Sequence, residues 1–319
     1  MRLDTIPKAE VHVHLEGCQS AGTLAALARR HGEALPRPVD QLFEVADFDE
    51  FLDFLSWSCG LLRTADDVAA AAYGYAARLA GTGAVAADLI VNPTHWHTWH
   101  DDLRGLIGAL DRGLAGAEDD GLPPVGLCVS VLRQQTAAQA AELVETLVAL
   151  DHPRVVALSI DGNEARAGRT GPRFAKAFAA AGAAGLRRTV HAGESSGPQG
   201  VRDAIELLGA DRIDHGVRAV EDPALVAELA DRGVPLGICP SSNVTLGGAA
   251  SVAEHPIEGL RLAGVAVSVN TDDPAFLGTD LLAEYRLCVD AFGWDEATVG
   301  EVAATSVAAC FTARRRGLA

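Results

Sequence analysis

The stretch His191-Ala192-Gly193-Glu194 combines two residue types that metal-assisted hydrolysis requires. It follows the short stretch 186–190 (LRRTV), which we read as a β-strand, so we expect it where that strand ends. The histidine can ligate a metal ion, and the carboxylate, a turn further on, can transfer a proton at the same substrate atom. A match of this length arises by chance in long chains. Other stretches of the sequence must supply the missing parts of such a site.

Two histidines near the N-terminus supply the first of these parts. His12 and His14 lie at the end of the first predicted strand, and alternation along a strand puts both on the same face. Two imidazoles at this spacing can chelate one metal ion. A pair of structural core histidines would have the same spacing, but the metal interpretation is favoured because further ligand-type residues follow other predicted strands.

Later strands are also predicted to end in polar residues. Asp272 and Asp273 are adjacent carboxylates, and burying both costs on the order of several kcal/mol unless a cation or donor is present. One of them can ligate a metal while its neighbour binds substrate. His215 precedes a glycine and is placed for proton transfer or for orienting a water molecule. Gly162 lets the backbone approach a ligand closely.

The end of the fourth predicted strand indicates how many metal ions to expect. Many binuclear barrel hydrolases need a lysine there to bridge two metals, and residues 160–164 contain none. The sequence therefore predicts a single metal.

Eight short apolar runs alternate with alanine-rich helical patterns. The predicted strands cover residues 10–15, 84–91, 125–132, 155–160, 187–191, 212–215, 234–239 and 266–270. Eight β/α units in this length predict a closed parallel (β/α)8 TIM barrel, in which active sites lie at the C-terminal ends of the strands. A doubly wound open sheet is the alternative, but it does not explain why every candidate residue follows a strand. No repeat or linker interrupts the pattern, so residues 1–319 are predicted to form one domain.

A long insertion, residues 16–83, separates the first two predicted strands. Its segment 42–62 is rich in large apolar side chains, namely Phe43, Phe48, Phe51, Leu52, Phe54, Leu55 and Trp57. This segment is either an ordinary amphipathic helix packed on the barrel or an apolar lid over a flat aromatic substrate.

Two further stretches are given lesser roles. Residues 92–101, with His95, His97 and His100, look like a second metal site, but the first strand already supplies ligands, so we predict a surface or pocket-rim loop. Residues 239–243 are predicted to be a polar turn that shapes the mouth of the barrel.

Composition excludes several classes of protein. The net charge of −17 disfavours nucleic acid and anionic membranes as partners, because phosphate binding needs clustered basic residues. The six cysteines are scattered without a CxxC pair, which argues against a disulfide framework and a thiolate zinc site. Neither a signal peptide nor a run of about 18 apolar residues is visible, so a cytoplasmic enzyme is expected. The sequence gives no indication of whether the chain is a monomer or an oligomer.

Five stretches together resemble the motifs of the adenosine deaminase family, which includes adenine deaminases and related aminopurine hydrolases. They are residues 7–17 (PKAEVHVHLEG), 189–194 (TVHAGE), 212–216 (RIDHG), 239–243 (CPSSN) and 270–274 (NTDDP). The resemblance covers nearly the whole chain and keeps the order of the motifs. It implies a zinc-dependent (β/α)8 barrel, in agreement with the strand pattern.

The resemblance also implies a role for each candidate residue. One zinc ion would be held by four side chains: His12, His14, His191 and Asp272. Glu194 would give a proton to purine N1, and His215 would orient or deprotonate the attacking water. Three residues would contact the substrate: Gly162 through its backbone N–H to N3, Asp273 by accepting a hydrogen bond involving N7, and Glu16 beside the metal site, with His14 also close to the substrate. The implied reaction is hydrolytic deamination of a 6-aminopurine.

The motifs leave the substrate open. Glu16, where many adenosine deaminases have aspartate, and Asp214 within RIDHG are more like the adenine deaminase branch. The stretches 194–198 (ESSGP), 239–243 (CPSSN) and 277–280 (LGTD) are more like the adenosine branch. Adenosine is the first prediction, adenine the second, and a modified nucleoside such as aminodeoxyfutalosine the third. A barrel that binds nucleosides without turnover is disfavoured because every ligand and the catalytic acid are present. A metal-dependent hydrolase of another bond, such as a cyclic amide or phosphoester, is disfavoured by the missing lysine and by the Asp272-Asp273 pair.

Overall fold

The computed structural model describes residues 1–46 and 48–319, with the backbone but not the side chain of Phe48. Within these residues eight parallel strands follow one another in the sheet in their order along the chain. The strands are β1 (Lys8–His14), β2 (Ala84–Val91), β3 (Val125–Leu132), β4 (Val155–Asp161), β5 (Arg187–Ala192), β6 (Arg212–His215), β7 (Leu236–Ile238) and β8 (Val267–Val269). The prediction of a parallel (β/α)8 barrel is confirmed.

Helices separate the strands and cover the outside of the barrel. They are α1 (Ala21–His31), α2 (Phe48–Cys59), α3 (Ala65–Arg78), α4 (Leu103–Asp119), α5 (Ala137–Leu150), α6 (Glu164–Ala167), α7 (Gly171–Ala183), α8 (Pro198–Glu206), α9 (Pro223–Arg232), α10 (Pro240–Thr245), α11 (Ile257–Leu262), α12 (Leu281–Phe292), α13 (Glu296–Ala309) and α14 (Phe311–Arg316). Short 3-10 turns occupy Leu3–Thr5, Leu15–Gly17, Val39–Gln41, Pro93–His95, His97–Trp99 and Val217–Glu221. Within the described residues, no helix is long and apolar enough to cross a membrane.

Local sequence determines where several of these helices begin. Thr136 caps α5, because its hydroxyl accepts the N–H of Gln139 while the Gln139 side chain accepts the N–H of Thr136. Thr64 and Asp67 form the same reciprocal capping box at the start of α3. Each box satisfies two backbone donors that the first turn of a helix leaves without partners.

The barrel closes where the residues after β8 meet β1. The N–H of His14 donates to the carbonyl of Asp272 at 2.7 Å, and the N–H of Asp272 donates to the carbonyl of His12 at 3.1 Å. Strand β8 is shorter than the predicted strand because Asn270 contacts β1 through its side chain, whose Oδ1 accepts the N–H of Val11 at 2.7 Å. Three predicted metal ligands therefore lie together in the seam that closes the barrel.

A buried ionic cluster supports the strands beneath the mouth. Arg212 donates to Asp88 at 2.7 Å and to Asp214 at 3.3 Å, and all three side chains are fully buried. Asp88 also accepts the N–H groups of Phe311 and Thr312 at the start of α14. Arg212 lies between the two carboxylates, which offsets part of the desolvation cost, and the cluster ties β2 and β6 to the C-terminal helix.

Candidate active site

Three imidazoles and one carboxylate converge at the mouth of the barrel. The Nε2 atoms of His12 and His14 each lie 3.0 Å from Nε2 of His191. Oδ1 of Asp272 lies 3.2 Å from Nε2 of His12 and 3.4 Å from Nε2 of His14. All four side chains are buried, and one ligand atom from each lies within 4.8 Å of the others. These are the four residues that the family resemblance implied as metal ligands.

The spacing and chemistry of this set fit a tetrahedral metal ion. Ligands about 2.0–2.1 Å from a zinc ion stand roughly 3.3 Å apart, close to the distances above. Nδ1 of His12 lies 2.8 Å from the carbonyl of Gly237, so its N–H donates there and Nε2 is the nitrogen that faces the other ligands. Against the opposing effect of burial, the charges of Asp272 and Asp214 raise the pKa of His12 to about 9. The cluster therefore attracts positive charge.

A second set of potential ligands overlaps the first but suits a metal less well. It combines Cys239 and His215 with His12 and Asp272. Sγ of Cys239 lies 3.3 Å from Nδ1 of His12, the nitrogen that already donates to Gly237. Burial raises the pKa of the Cys239 thiol well above its usual range, which disfavours the thiolate that metals bind. The three-histidine set is the better site.

Two residues at the mouth have an unusual backbone conformation. His215 has φ 66° and Asp272 has φ 63°, both in the left-handed region that side chains other than glycine rarely adopt. In the described part of the chain, Asp151 is the only other non-glycine residue with positive φ. Strained backbone of this kind costs about 1–3 kcal/mol and concentrates at functional sites. The fold therefore directs the side chains of His215 and Asp272 toward the mouth of the barrel at a cost in stability.

Helix α10 supports both strained residues. The Ser242 hydroxyl donates to Oδ2 of Asp272 at 2.6 Å, and Asn243 contacts Nδ1 of His215 at 3.0 Å. Nε2 of His215 in turn lies 3.6 Å from Oε1 of Glu194. The prediction of a polar turn at residues 239–243 is wrong, because Pro240 begins a helix. The sequence could not show that its side chains orient site residues.

Glu194 has the properties of a general acid. Burial, followed by the carboxylates of Asp272 and Glu164, raises the pKa of Glu194 to about 8. The side chain is therefore protonated at neutral pH and has a proton to give. Its loop is held by Glu164, whose carboxylate accepts the N–H groups of Gly193 and Glu194, both at 3.1 Å, and of Ser196 at 3.2 Å. Sequence reasoning missed Glu164.

Glu16 presents one carboxylate oxygen to the same cavity. Its Oε1 accepts the N–H of Asn92 at 2.7 Å and the indole N–H of Trp96 at 2.8 Å. Its Oε2 is buried and has no hydrogen-bond partner in the described residues. Burial raises the pKa of Glu16 to about 7. A buried carboxylate with one oxygen held and the other free is arranged to bind a hydrogen-bond donor.

Asp273 also lies at the mouth of the barrel and has one carboxylate oxygen without a partner among the described residues. Its Oδ1 is buried and without a hydrogen-bond partner in the part of the chain that the structure describes. Burial, followed by the charge of Asp272, raises the pKa of Asp273 well above its usual range. A Cβ atom on Gly17 would lie 2.0 Å from Oδ1 of Asp273, so only glycine fits beside this carboxyl group.

One cavity at the mouth of the barrel joins these groups. All the predicted site residues line it except His12, which lies beneath it and is fully buried. Phe51, Leu52 and Leu55 of α2 form an apolar wall, as the lid interpretation requires, while the side chain of Phe48 lies outside the described residues. Gly162 has φ 96°, a conformation that suits glycine, so its predicted exposure of backbone to a ligand is consistent with the geometry.

Comparison with known proteins identifies the family to which the chain is similar. The family model described as adenosine deaminase matches residues 7–318 of the chain. The chain belongs to the adenosine deaminase family. The family prediction, and with it the prediction of a hydrolytic 6-aminopurine deaminase, is confirmed.

Three individual proteins are similar to this chain over nearly its whole length. An adenine deaminase of Rhizobium leguminosarum bv. trifolii is 34% identical over 307 residues, which cover 96% of this chain and 95% of that protein. The crystal structure of an adenine deaminase from Arthrobacter aurescens superposes with a TM-score of 0.91 at 31% identity, covering 98% of this chain and 96% of that one. An amidohydrolase from Burkholderia ambifaria with bound zinc gives a TM-score of 0.90 at 27% identity, covering 99% and 90%.

One loop of this adenosine deaminase family member was only partly predicted. His97 and His100 are exposed, as expected for a surface loop. Trp96, however, is fully buried against Glu16, and His95 lines the cavity with its Nδ1 2.7 Å from the Ser56 hydroxyl of α2. The prediction of a surface or rim loop is wrong for Trp96. The run of alternating aromatic residues was the signal that could have revealed it.

Proposed function

We propose that this chain hydrolyses adenine to hypoxanthine and ammonia. The sequence motifs placed adenosine ahead of adenine, but the relatives that are about a third identical and match nearly end to end are named adenine deaminases. Residues 1–319 act as one catalytic domain in this proposal.

The observation that supports adenine best is the free oxygen of Glu16. A free base has an N9–H group, and the Glu16 carboxylate, which is ionised above its pKa of about 7, can accept its hydrogen bond through Oε2. A hydrogen bond to a charged acceptor is worth about 1.5–3 kcal/mol. In adenosine the sugar replaces this hydrogen, so the same carboxylate could bind only ribose hydroxyls. Because Asn92 and Trp96 hold Oε1, Glu16 is not free to turn away from a bulky sugar.

We assign the metal as zinc, held by His12, His14, His191 and Asp272. The bound zinc in the Burkholderia ambifaria structure supports this assignment. The ligand types support it too, because zinc binds imidazole nitrogens and carboxylate oxygens. When bound, zinc supplies a Lewis acid that makes water a nucleophile at neutral pH. Burial lowers the pKa of His191 well below its usual range, so this side chain is neutral, the form that ligates a metal.

The chain's own residues carry out the remaining steps. Glu194 donates its proton to N1, which makes C6 electrophilic and removes the need to place negative charge on the ring. The raised pKa of Asp273 favours its protonated form, which donates to N7 rather than accepting there. The backbone N–H of Gly162 donates to N3. Phe51 and Leu55 exclude water from the ring faces, and ammonia leaves from C6 after the attacking water has added there.

The function is tested by a panel of 6-aminopurines scored for ammonia release. We expect kcat/KM for adenine to exceed that for adenosine by at least about 10-fold, the effect of one charged hydrogen bond of about 1.5 kcal/mol. Faster release from adenosine or aminodeoxyfutalosine would move the assignment to that substrate. Binding of purines without any ammonia release would favour a non-catalytic barrel.

Changing Glu16 should alter the choice of substrate. Glu16→Ala is expected to lower kcat/KM for adenine by about 10- to 150-fold, because the acceptor for N9–H is lost. Glu16→Asp, which is one methylene shorter, should shift the preference toward adenosine. Exposed Glu145 of α5 provides the control, and Glu145→Ala should leave both substrates unchanged. If neither Glu16 variant changed the ratio of adenine to adenosine turnover, this residue would not set the choice.

Metal content should be about one zinc ion per chain. The two sets of potential ligands found among the described residues share His12 and Asp272, so they can hold only one ion between them, and no lysine follows β4 to bridge a second ion. Elemental analysis of purified protein measures this ratio directly. Two tightly bound metals per chain, or a ratio near one for a metal other than zinc, would contradict the assignment.

A further inference from the structure

A buried chain of hydrogen bonds runs from helix α11 to the mouth of the barrel. The backbone N–H of Ile257 donates to Nδ1 of His255 at 3.1 Å. Nε2 of His255 lies 3.1 Å from Oδ1 of Asn243, and Nδ2 of Asn243 lies 3.0 Å from Nδ1 of His215. The three side chains are 3%, 0% and 1% exposed, respectively. Water does not compete for these bonds.

The backbone amide at one end determines the direction of every bond. An amide N–H can only donate, so Nδ1 of His255 must accept. Burial lowers the pKa of His255 to about 4, so at neutral pH the ring carries one proton, which must be on Nε2. That N–H donates to Oδ1 of Asn243, which turns the amide nitrogen of Asn243 toward His215. Nδ1 of His215 accepts, and the proton of a neutral His215 is therefore on Nε2.

The opposite tautomer of His215 is blocked by the same chain. A proton on Nδ1 of His215 would need Oδ1 of Asn243 as its acceptor, and the amide would have to flip. The flipped NH2 group would face Nε2 of His255, which could accept only with its own proton on Nδ1. Two donors, that N–H and the N–H of Ile257, would then face each other at 3.1 Å. Leaving buried donors unpaired costs about 1–3 kcal/mol each.

We propose that Asn243 and His255 are positioning residues that hold the proton of neutral His215 on Nε2, so that His215 donates a hydrogen bond to the attacking water instead of removing its proton. Nε2 lies 3.6 Å from Oε1 of Glu194 and 3.9 Å from Oδ2 of Asp272, so the N–H faces the reacting groups. This chooses between the two roles that the motifs left open for His215. Its catalytic consequence rests on the proposed deamination, but the position of the proton does not.

The proton of the attacking water must then pass to another group. Glu194 becomes a carboxylate when it gives its proton to N1, and it can take up the proton that the water loses. One hydroxyl group is then added at C6 and one hydrogen at N1, and Glu194 is protonated before and after the step.

The first test measures the tautomer itself. Protein labelled with 15N-histidine, with and without zinc, is examined by NMR, and the His215 signals are assigned by their loss in His215→Gln. We expect a protonated Nε2 and a bare Nδ1 in both samples. A proton on Nδ1 in the wild-type protein would overturn the proposal. This result does not depend on which purine the enzyme deaminates, so failure of the function and failure of the proposal are distinguishable.

The second test uses a pair of variants at His255. His255→Leu removes the donor to Asn243 and lets its amide turn, so both tautomers of His215 should appear and kcat should fall about 10-fold or more. His255→Gln keeps an N–H donor near the position of Nε2 and should restore the single tautomer and most of the lost rate. Exposed His97 supplies the control, His97→Leu. Equal losses in the Leu and Gln variants, with an unchanged tautomer, would show a packing role only.

Asn243→Asp gives a third measurement that does not depend on how the Leu variant folds. A carboxylate can only accept, so it should draw the proton of His215 onto Nδ1 while the shape of the side chain is kept. A wrong histidine tautomer in a serine protease triad costs about 10⁴ in kcat, and we expect a loss of about 10²–10⁴ here with zinc retained. Unchanged kcat together with a moved proton would show that the tautomer has no part in catalysis.

Discussion

Replacing Glu194 by glutamine is expected to lower kcat by about 10²–10⁴ while the metal stays bound. Glutamine keeps the size of the side chain but has no proton to give to the substrate ring. In the wild-type enzyme, burial and neighbouring carboxylates raise the pKa of Glu194 to about 8, so the acid is loaded at neutral pH. The wild-type rate should accordingly decline as pH rises through that pKa, because the ionised form cannot donate.

Ammonia release and metal content, measured on the same preparation, separate a chemical effect from a structural one. Glu145→Gln, an exposed change of the same type on α5, should retain the wild-type rate. Near-normal turnover by Glu194→Gln would mean that another group is the acid. Loss of metal from this variant would mean that Glu194 belongs to the ligand set.

Asp272→Ala should lose both metal and turnover. The change removes the only anionic ligand of the four and leaves three neutral imidazoles. Removing even a residue that orients a metal ligand typically weakens binding about 10–100-fold, so loss of the ligand itself should exceed about 100-fold. The measurement is zinc per chain after dialysis against a weak chelator, together with ammonia release.

Backbone strain requires a matched variant at the same position. Asp272 has φ 63°, which alanine tolerates poorly and asparagine tolerates better. Asp272→Asn therefore separates loss of the charged ligand from loss of the backbone conformation, and it should also release metal while folding more stably than Asp272→Ala. Both variants holding about one zinc after dialysis would exclude Asp272 from the ligand set.

The residues that the sequence could predict share one property. His12, His191 and Asp272 each lie within three residues of the C-terminal end of a strand, and these ends meet at one mouth in a parallel barrel. Strand periodicity therefore placed them together without any knowledge of packing. The same reasoning placed Glu194 and His215 at the mouth, because each lies within three residues of a strand end.

The supporting residues could not be found in this way. Glu164 is in a one-turn helix, and Asn243 lies in a stretch that was predicted to be a turn but forms α10, which begins at Pro240. His255 lies far from any strand end, and it is connected to the site through its hydrogen bond to Asn243 of α10. Their contacts depend on how loops and short helices pack on the barrel, for which hydrophobic periodicity gives no signal.

The seam between β1 and residue 272 has a consequence for how the molecule is made. Two of the proposed ligands come from the twelfth and fourteenth residues of the chain, and the anionic one comes after the last strand. During synthesis the imidazoles of β1 therefore meet their carboxylate partner only after residue 272 has been made. In the proposed site, metal binding would follow closure of the barrel. A bound ion would link β1 to the segment after β8, so we expect chelation to weaken the barrel first at this junction.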